Sequence, residues 1–72
     1  MEKNWTLIYT TGNLIHIDIL RNLLLEKEIK SVFINKKDSS YLFGDIELYV
    51  DQKDVTVALQ VVAQFETNET AR

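Results

Sequence analysis

The pattern of hydrophobic and polar positions along the chain predicts five regular elements. Three short segments rich in β-branched and aromatic residues predict strands. Two longer segments with hydrophobic residues three and four positions apart predict helices. In chain order these are a strand at 4–10, a helix at 13–29, strands at 31–36 and 45–50, and a helix at 52–65. The order predicts an α+β two-layer sandwich, β-α-β-β-α, with a three-stranded antiparallel sheet and both helices on one face.

The third strand shows the clearest alternation. It is expected at the centre of the sheet, because the crossover helix between the first two strands needs room and the last two strands form a hairpin. Ile46, Leu48 and Val50 alternate with polar residues and Tyr49, which is typical of a strand with one buried face. The first strand alternates less clearly. Its two predicted faces consist of Trp5, Leu7 and Tyr9 on one side and Thr6, Ile8 and Thr10 on the other. Either set can face away from the helices.

The first helix carries more hydrophobic residues than one sheet can cover. At about 100° per residue, six of them fall in an arc roughly 200° wide, and a helix on a single sheet needs about half of that. The six are Ile15, Ile17, Ile19, Leu20, Leu23 and Leu24. Leu14 and Leu25 lie further round. We therefore expect this helix to contact its sheet and something else, with Ile15, Ile19, Leu14 and Leu25 as candidates for self-association.

Residues with short polar side chains mark the helix starts. Thr11 or Asn13 is the predicted N-cap of the first helix, and Asp51 that of the second. The first helix ends at Glu26, Lys27 and Glu28 without a glycine, so its last turn is expected to fray. The predicted buried face of the second helix consists of Val55, Ala58, Leu59, Val62 and Phe65. Residues 1–65 then form one domain, and the polar segment 66–72 is expected to be disordered.

Composition narrows the function classes. The 72 residues contain no Cys and a single His, which argues against thiolate chemistry and against a conventional zinc site. Eight basic residues are scattered among eleven acidic ones, giving a net charge of −3, so we expect no nucleic-acid binding. The polar start and the lack of a long apolar run predict no signal peptide and no membrane association, and hence a cytoplasmic protein. A domain this small is often stabilised by disulfides, a metal or self-association, and self-association as a homodimer is the option left open.

No catalytic, metal or cofactor site is predicted. His16 has no nucleophile or orienting carboxylate at a recognisable spacing. The acidic residues between 45 and 54 lack the Gly and bidentate Glu of a calcium loop. Gly12 and Gly44 are the only glycines, too few for a phosphate-binding loop.

The segment 36–44 is the candidate surface for binding a protein partner. Three large apolar residues, Tyr41, Leu42 and Phe43, follow Lys36 and Lys37 after only three polar residues. They either fold back over an open end of the core or form an exposed contact for another protein. The sequence leaves both alternatives open.

Four features of the chain occur together: LIYTTGN at the end of the first strand, the pair Leu23 and Leu24, EKEIKSVFIN, and IELYVDQKDVTVALQVV. With them the chain resembles, from about Trp5 to Phe65, a family of small bacterial proteins labelled putative signal-transducing proteins. The resemblance implies a truncated ferredoxin-like fold related to the nitrogen-regulatory P-II proteins. Family members commonly have Gly where this chain has Glu28. The long nucleotide-binding loop and the fourth strand of P-II proteins are not evident.

Two hypotheses about function follow. The first is a small regulatory or protein-interaction module without catalysis, acting through self-association and a protein partner. The second is a ligand sensor of the P-II kind that binds a metabolite or nucleotide between subunits. In the second hypothesis, Lys36 and Lys37 would bind an anionic ligand.

Overall fold

A computed structural model describes residues 4–36 and 45–70, with side chains described as far as residue 68. The elements are β1 (Trp5–Thr11), α1 (Leu14–Glu26), β2 (Ser31–Asn35), β3 (Ile46–Asp51), a 3₁₀ turn (Gln52–Asp54) and α2 (Val55–Thr70). The strands form one antiparallel sheet in the order β1-β3-β2. The predicted α+β class, the β-α-β-β-α order and the central position of the third strand are confirmed.

The core lies between the sheet and a single layer of helices. Ile46, Leu48 and Val50 of β3 are at most 1% exposed, and they belong to the same buried cluster as residues of both helices. From α1 the cluster includes Ile17, Leu20 and Leu24, and from α2 it includes Ala58, Val61, Val62 and Phe65. One face of the sheet is therefore covered by the helices, while the other carries Glu47 and Tyr49 of β3.

A β-bulge in β1 changes which of its side chains face the helices. Leu7 is opposite Tyr49, but Tyr9 is opposite Leu48, so one extra residue, Ile8, lies between the two pairs. Because Leu48 faces the helices, Tyr9 does so too, and its ring lies 6.2 Å from that of Phe65. The predicted grouping of Tyr9 with Trp5 and Leu7 is wrong, because strict alternation does not hold across a bulge.

Both predicted N-cap residues act at the start of α1. The Asn13 side-chain oxygen Oδ1 accepts a hydrogen bond from the Ile15 N–H at 2.9 Å. Thr11 Oγ1 in turn accepts from the Asn13 N–H at 3.1 Å. Asn13 is the cap in the strict sense, and Thr11 holds the turn that precedes it.

The end of α1 is capped although it has no glycine. The Ile29 N–H donates to the Leu24 carbonyl at 2.9 Å, and the Glu28 N–H donates to the Leu25 carbonyl at 2.8 Å. These two bonds form a Schellman motif, in which the residue after the C-cap is left-handed. That residue is Glu28, with φ of 60°. The last turn was expected to fray, but it ends in this hydrogen-bonded cap, and the side chains of Leu24 and Ile29 on either side of the cap are buried.

The second helix differs from its prediction at one core position and at its end. Leu59 is 46% exposed, whereas Val61, which was not assigned to the core, is 7% exposed. The buried face of α2 is thus rotated away from Leu59.

The helix extends to Thr70, so most of the segment expected to be a disordered tail is helical. Within that segment, Thr67 Oγ1 donates to the Ala63 carbonyl at 2.9 Å. Asp51, predicted as the N-cap of the second helix, caps the 3₁₀ turn that comes before α2. Its Oδ1 accepts a hydrogen bond from the Lys53 N–H at 3.0 Å.

Candidate functional site

The sheet face away from the helices, termed the open face, carries a mixed apolar and polar surface. Cross-strand pairing arranges its residues in two rows, each with one residue from every strand. The rows are Leu7–Tyr49–Val32 and Thr10–Glu47–Ile34, with Trp5 placed opposite Asp51 at one end. The bulge therefore places Thr10, rather than Tyr9, beside Glu47.

Large apolar side chains on the open face are accessible. Leu7 is 45% exposed and Ile34 is 50% exposed, and Val32 is similar. A shallow groove on this face is lined by Trp5, Tyr49 and residues 32–34 of β2. Exposed apolar side chains that lie side by side, unlike isolated ones, are typical of interaction surfaces.

A hydrogen-bonded group lies at the centre of the open face. The Tyr49 hydroxyl donates to Glu47 Oε1 at 2.7 Å, and Lys36 Nζ lies 3.2 Å from Glu47 Oε2. The Tyr49 hydroxyl, and after it Lys36, lower the pKa of the Glu47 carboxyl below its ordinary value of 4.5. The same hydrogen bond raises the pKa of Tyr49 above its ordinary value of 10.0, because the neutral phenol is the donor. At neutral pH the central carboxylate is therefore ionised and has two partners on its own face.

Lys36 is the predicted partner-binding residue that the structure describes, and it belongs to this central group. The other members of that prediction, Lys37, Tyr41, Leu42 and Phe43, lie outside the described residues. The prediction did not include Val32 or Ile34. Their alternation with Phe33 was too short to assign a face, and only the antiparallel register with Tyr49 and Glu47 shows that they lie on the open face.

The predicted self-association residues of α1 are all exposed, but they do not form one patch. Ile15 is 64% exposed and Leu25 is 59% exposed, with Leu14 and Ile19 less so. At about 100° per residue, Leu14 and Leu25 lie on one flank of the helix and Ile15 and Ile19 on another. The polar residues Asp18 and Asn22 lie between the flanks. The excess of hydrophobic positions on α1 is thus real, but it is divided between two small surfaces.

His16 occupies a structural position. Its ring Nδ1 lies 3.4 Å from Thr11 Oγ1, and its ring packs edge-on against Phe65 with centroids 5.3 Å apart. Among residues 4–36 and 45–70, no three His, Cys, Asp or Glu side chains are grouped so that they could hold a metal ion. Within the same ranges, no helix is long and apolar enough to cross a membrane.

A family model described as putative prokaryotic signal transducing protein matches residues 5–66. These residues include β1, β2 and β3, the whole of α1 and most of α2. No curated protein and no solved structure gave a significant match.

Proposed function

The chain belongs to the family of putative prokaryotic signal transducing proteins, and we propose that it is a regulatory module that acts without catalysis through contacts with other proteins. The observation that carries the proposal is the open face, where Leu7, Val32 and Ile34 are exposed beside Trp5 and Tyr49. Aromatic residues in an apolar setting are favoured at the centres of protein interfaces.

The central polar group of the open face suits burial under a partner. A lone carboxylate in an interface would lose its water without compensation, which is costly. Glu47 already accepts a hydrogen bond from Tyr49 and forms an ion pair with Lys36. A partner that covers the face need not supply a cation, so an apolar protein surface, such as one side of an amphipathic helix, is the expected contact.

Site-specific photo-crosslinking in cells tests this proposal. A benzoylphenylalanine residue at Val32 or Ile34 should give a discrete adduct with one protein, identified by mass spectrometry. The matched control is the same residue at Val57, a side chain of similar size that is 43% exposed and belongs to α2 rather than to the open face. Identical adducts at Val57 and Val32, or none at either open-face position, would contradict the proposal.

A ligand sensor of the P-II kind is the second candidate function. The observation that favours it is a polar cleft at the end of the sheet, lined by Trp5, Glu28, Lys30, Asp51, Lys53 and Asp54. The predicted anion-binding residue Lys36 lies elsewhere and is paired with Glu47. An anionic ligand at Lys36 would therefore compete with that carboxylate. The cleft combines two lysines with three carboxylates, so it suits a ligand that carries both charges better than a simple anion.

A thermal-shift screen against nucleotides, common metabolites and divalent ions tests the sensor. A ligand at 100 times its dissociation constant adds about 2.7 kcal/mol to the free energy of unfolding. In a domain of this size each kcal/mol raises Tm by roughly 4–8 °C. A hit that is lost in Lys30→Ala or Lys53→Ala, but kept in Lys36→Ala, would place the ligand in the cleft. A flat screen would leave the interaction module as the function.

A further inference from the structure

A second cleft, termed the basic cleft, lies between α1 and the start of β2. It has a volume of about 340 Å³ and is lined by Trp5, Arg21, Leu25, Lys30, Ser31 and Val32. Small-molecule sites in proteins commonly measure roughly 300–1,000 Å³. The basic cleft therefore has the size of a site for a small organic ligand.

The charged side chains that line the basic cleft are both positive. They are Arg21 and Lys30, and no carboxylate of the described residues lines it. The polar cleft and the clefts that border α2 each include at least one carboxylate. In a chain with a net charge of −3, a cleft with positive side chains only is a local departure from the overall charge. Clefts lined by charge of one sign raise the local concentration of ligands of the opposite sign.

Neither of these two cations has a counter-ion in the part of the chain that the structure describes. An ion pair is present there between Lys36 and Glu47, but Arg21 and Lys30 form none. Arg21 is half-buried, and its guanidinium carbon lies 5.2 Å from the centre of the Phe33 ring. This ring contact positions the guanidinium without a carboxylate. The donors of Arg21, which suit the paired oxygens of a carboxylate or phosphate, are thus not used by another described residue.

Exposed apolar side chains accompany the two cations. Leu25 of α1 is 59% exposed and Val32 of β2 is 39% exposed. Ser31 is opposite Val50 and faces the helices, whereas Val32 is opposite Tyr49 on the open face. The cleft thus extends around the first residues of β2 and presents positive charge and apolar surface side by side. A ligand that combines an anionic group with an apolar body matches both.

We propose that the basic cleft binds a small organic anion in which a carboxylate or phosphate group is attached to an apolar body. Arg21 and Lys30 bind the charged group, and Leu25 and Val32 contact the apolar body. The proposal rests on the ligand-sensor candidate and deepens it. It assigns an anionic ligand to the basic cleft rather than to Lys36 or to the polar cleft, where carboxylates oppose an anion.

NMR titration of the isotope-labelled full chain with four defined probes tests the ligand class. Phenylbutyrate, phenylbutanamide and phenylbutylamine share an aromatic body and carry a negative, neutral and positive group. Phenyl phosphate is the fourth probe and replaces the carboxylate by a phosphate. Phenylbutyrate, phenyl phosphate or both should shift the amide signals of residues 30–32. The better anion should bind about threefold or more tightly than phenylbutanamide, and phenylbutylamine should bind least. The anion that binds more tightly identifies the charged group.

Variants that each remove one positive charge locate the bound probe. Arg21→Gln and Lys30→Gln should each weaken binding of the better anion by about threefold or more, because each removes one of the two cations that contact it. The matched controls are Lys27→Gln, at the end of α1 but outside the basic cleft, and Lys53→Gln, in the polar cleft. Both make the same change in net charge and should bind the anion like the wild type. Circular dichroism and Tm confirm that each variant is folded.

Four results would overturn the proposal. The first is equal affinity for the anions and for phenylbutanamide, and the second is the lack of any shift with either anion up to the solubility limit. The third is an equal loss of binding in Lys27→Gln and Arg21→Gln, which would show an effect of net charge alone. The fourth is binding that requires Lys53 but not Arg21.

The fourth result would retain a ligand sensor at the polar cleft, so failure of the basic cleft and failure of the sensor are distinguishable. Lys30 borders both clefts, and the comparison therefore depends on Arg21 and Lys53. None of these results bears on the crosslinking at Ile34, which tests the interaction module separately.

Discussion

The left-handed backbone of Glu28 predicts that Glu28→Gly stabilises the domain. Glu28 has φ of 60°, a conformation that brings the Cβ of an L-residue too close to the following carbonyl and costs roughly 1–2 kcal/mol. Glycine has no Cβ and avoids that cost, but it gives the unfolded chain more freedom, which removes roughly 0.5–1 kcal/mol. The expected net gain in the free energy of unfolding is about 0.5–1 kcal/mol.

The surrounding structure supports the expectation that relief of strain outweighs the added freedom of the unfolded chain. Both Schellman hydrogen bonds are made by backbone groups, from Glu28 and Ile29 to Leu25 and Leu24, and glycine preserves them. Ile29 is 3% exposed, so the chain after the cap is held in place by the core. A gain of that size corresponds to an increase in Tm of about 2–8 °C for a domain of this size. Urea denaturation followed by circular dichroism measures the free energy directly.

Two control variants separate the backbone effect from the loss of charge. Glu28→Ala removes the carboxylate but keeps a Cβ, so it should fall clearly below Glu28→Gly. Lys27→Gly places glycine one residue earlier, where φ is −95° and no strain exists. It should lower stability by about 0.5–1 kcal/mol, because only the unfolded state gains freedom. If Glu28→Gly is no more stable than Glu28→Ala, the assignment of strain to this residue is refuted.

Three further predictions concern the open face and α1. Tyr49→Phe keeps the ring but removes the hydroxyl, so the pKa of Glu47 should rise towards 4.5. An NMR titration of the variant measures this pKa. An unchanged value would show that the hydrogen bond is not the main cause of the lowered pKa. Because the pKa of Glu47 is lowered in the folded state, this residue contributes its full stabilisation above pH 4.5 and loses it as the pH falls through the folded-state pKa. The loss of stability in acid should therefore be smaller in Tyr49→Phe than in the wild type. Asn13→Ala removes the side chain that accepts from the first turn of α1 and should cost about 1 kcal/mol in urea denaturation, whereas no loss would mean that the cap is replaced. Leu24→Ala, at a fully buried position, should lower the free energy of unfolding by about 2–5 kcal/mol. Ile15→Ala, at a position that is 64% exposed, should lower it by less than about 0.5 kcal/mol. Equal losses in the two variants would contradict the burial pattern of α1.

The elements and their order could be predicted from the sequence because local patterns determine them. Ile46, Leu48 and Val50 alternate with polar neighbours, and that alternation predicts a strand with one buried face. Its central position follows from the order of the elements, because the crossover helix leaves room for it between the first two strands. The start of α1 could be predicted at Thr11 or Asn13 because a cap side chain acts on a backbone group close by in the sequence, and the hydrogen bond from the Ile15 N–H assigns the cap to Asn13. The excess of hydrophobic residues on α1 could also be predicted, because it follows from residue spacing. The exposure of Ile15 confirms that the core does not cover all of these residues.

Whether a given side chain faces the core, the open face or the solvent depended on the tertiary structure. The bulge in β1 moves Tyr9 to the helix side, because pairing with Leu48 overrides the alternation along the strand. Leu59, which was predicted to be buried, is exposed, and Val61, for which nothing was predicted, is buried. The rotation of α2 about its axis is set by packing on the sheet and α1, not by its own sequence. The open face itself exists only through the register of three strands that are distant in the chain. Helix and strand formation is decided by neighbours in the sequence, whereas this surface and its Glu47–Tyr49–Lys36 group are decided by contacts between elements that only folding brings together.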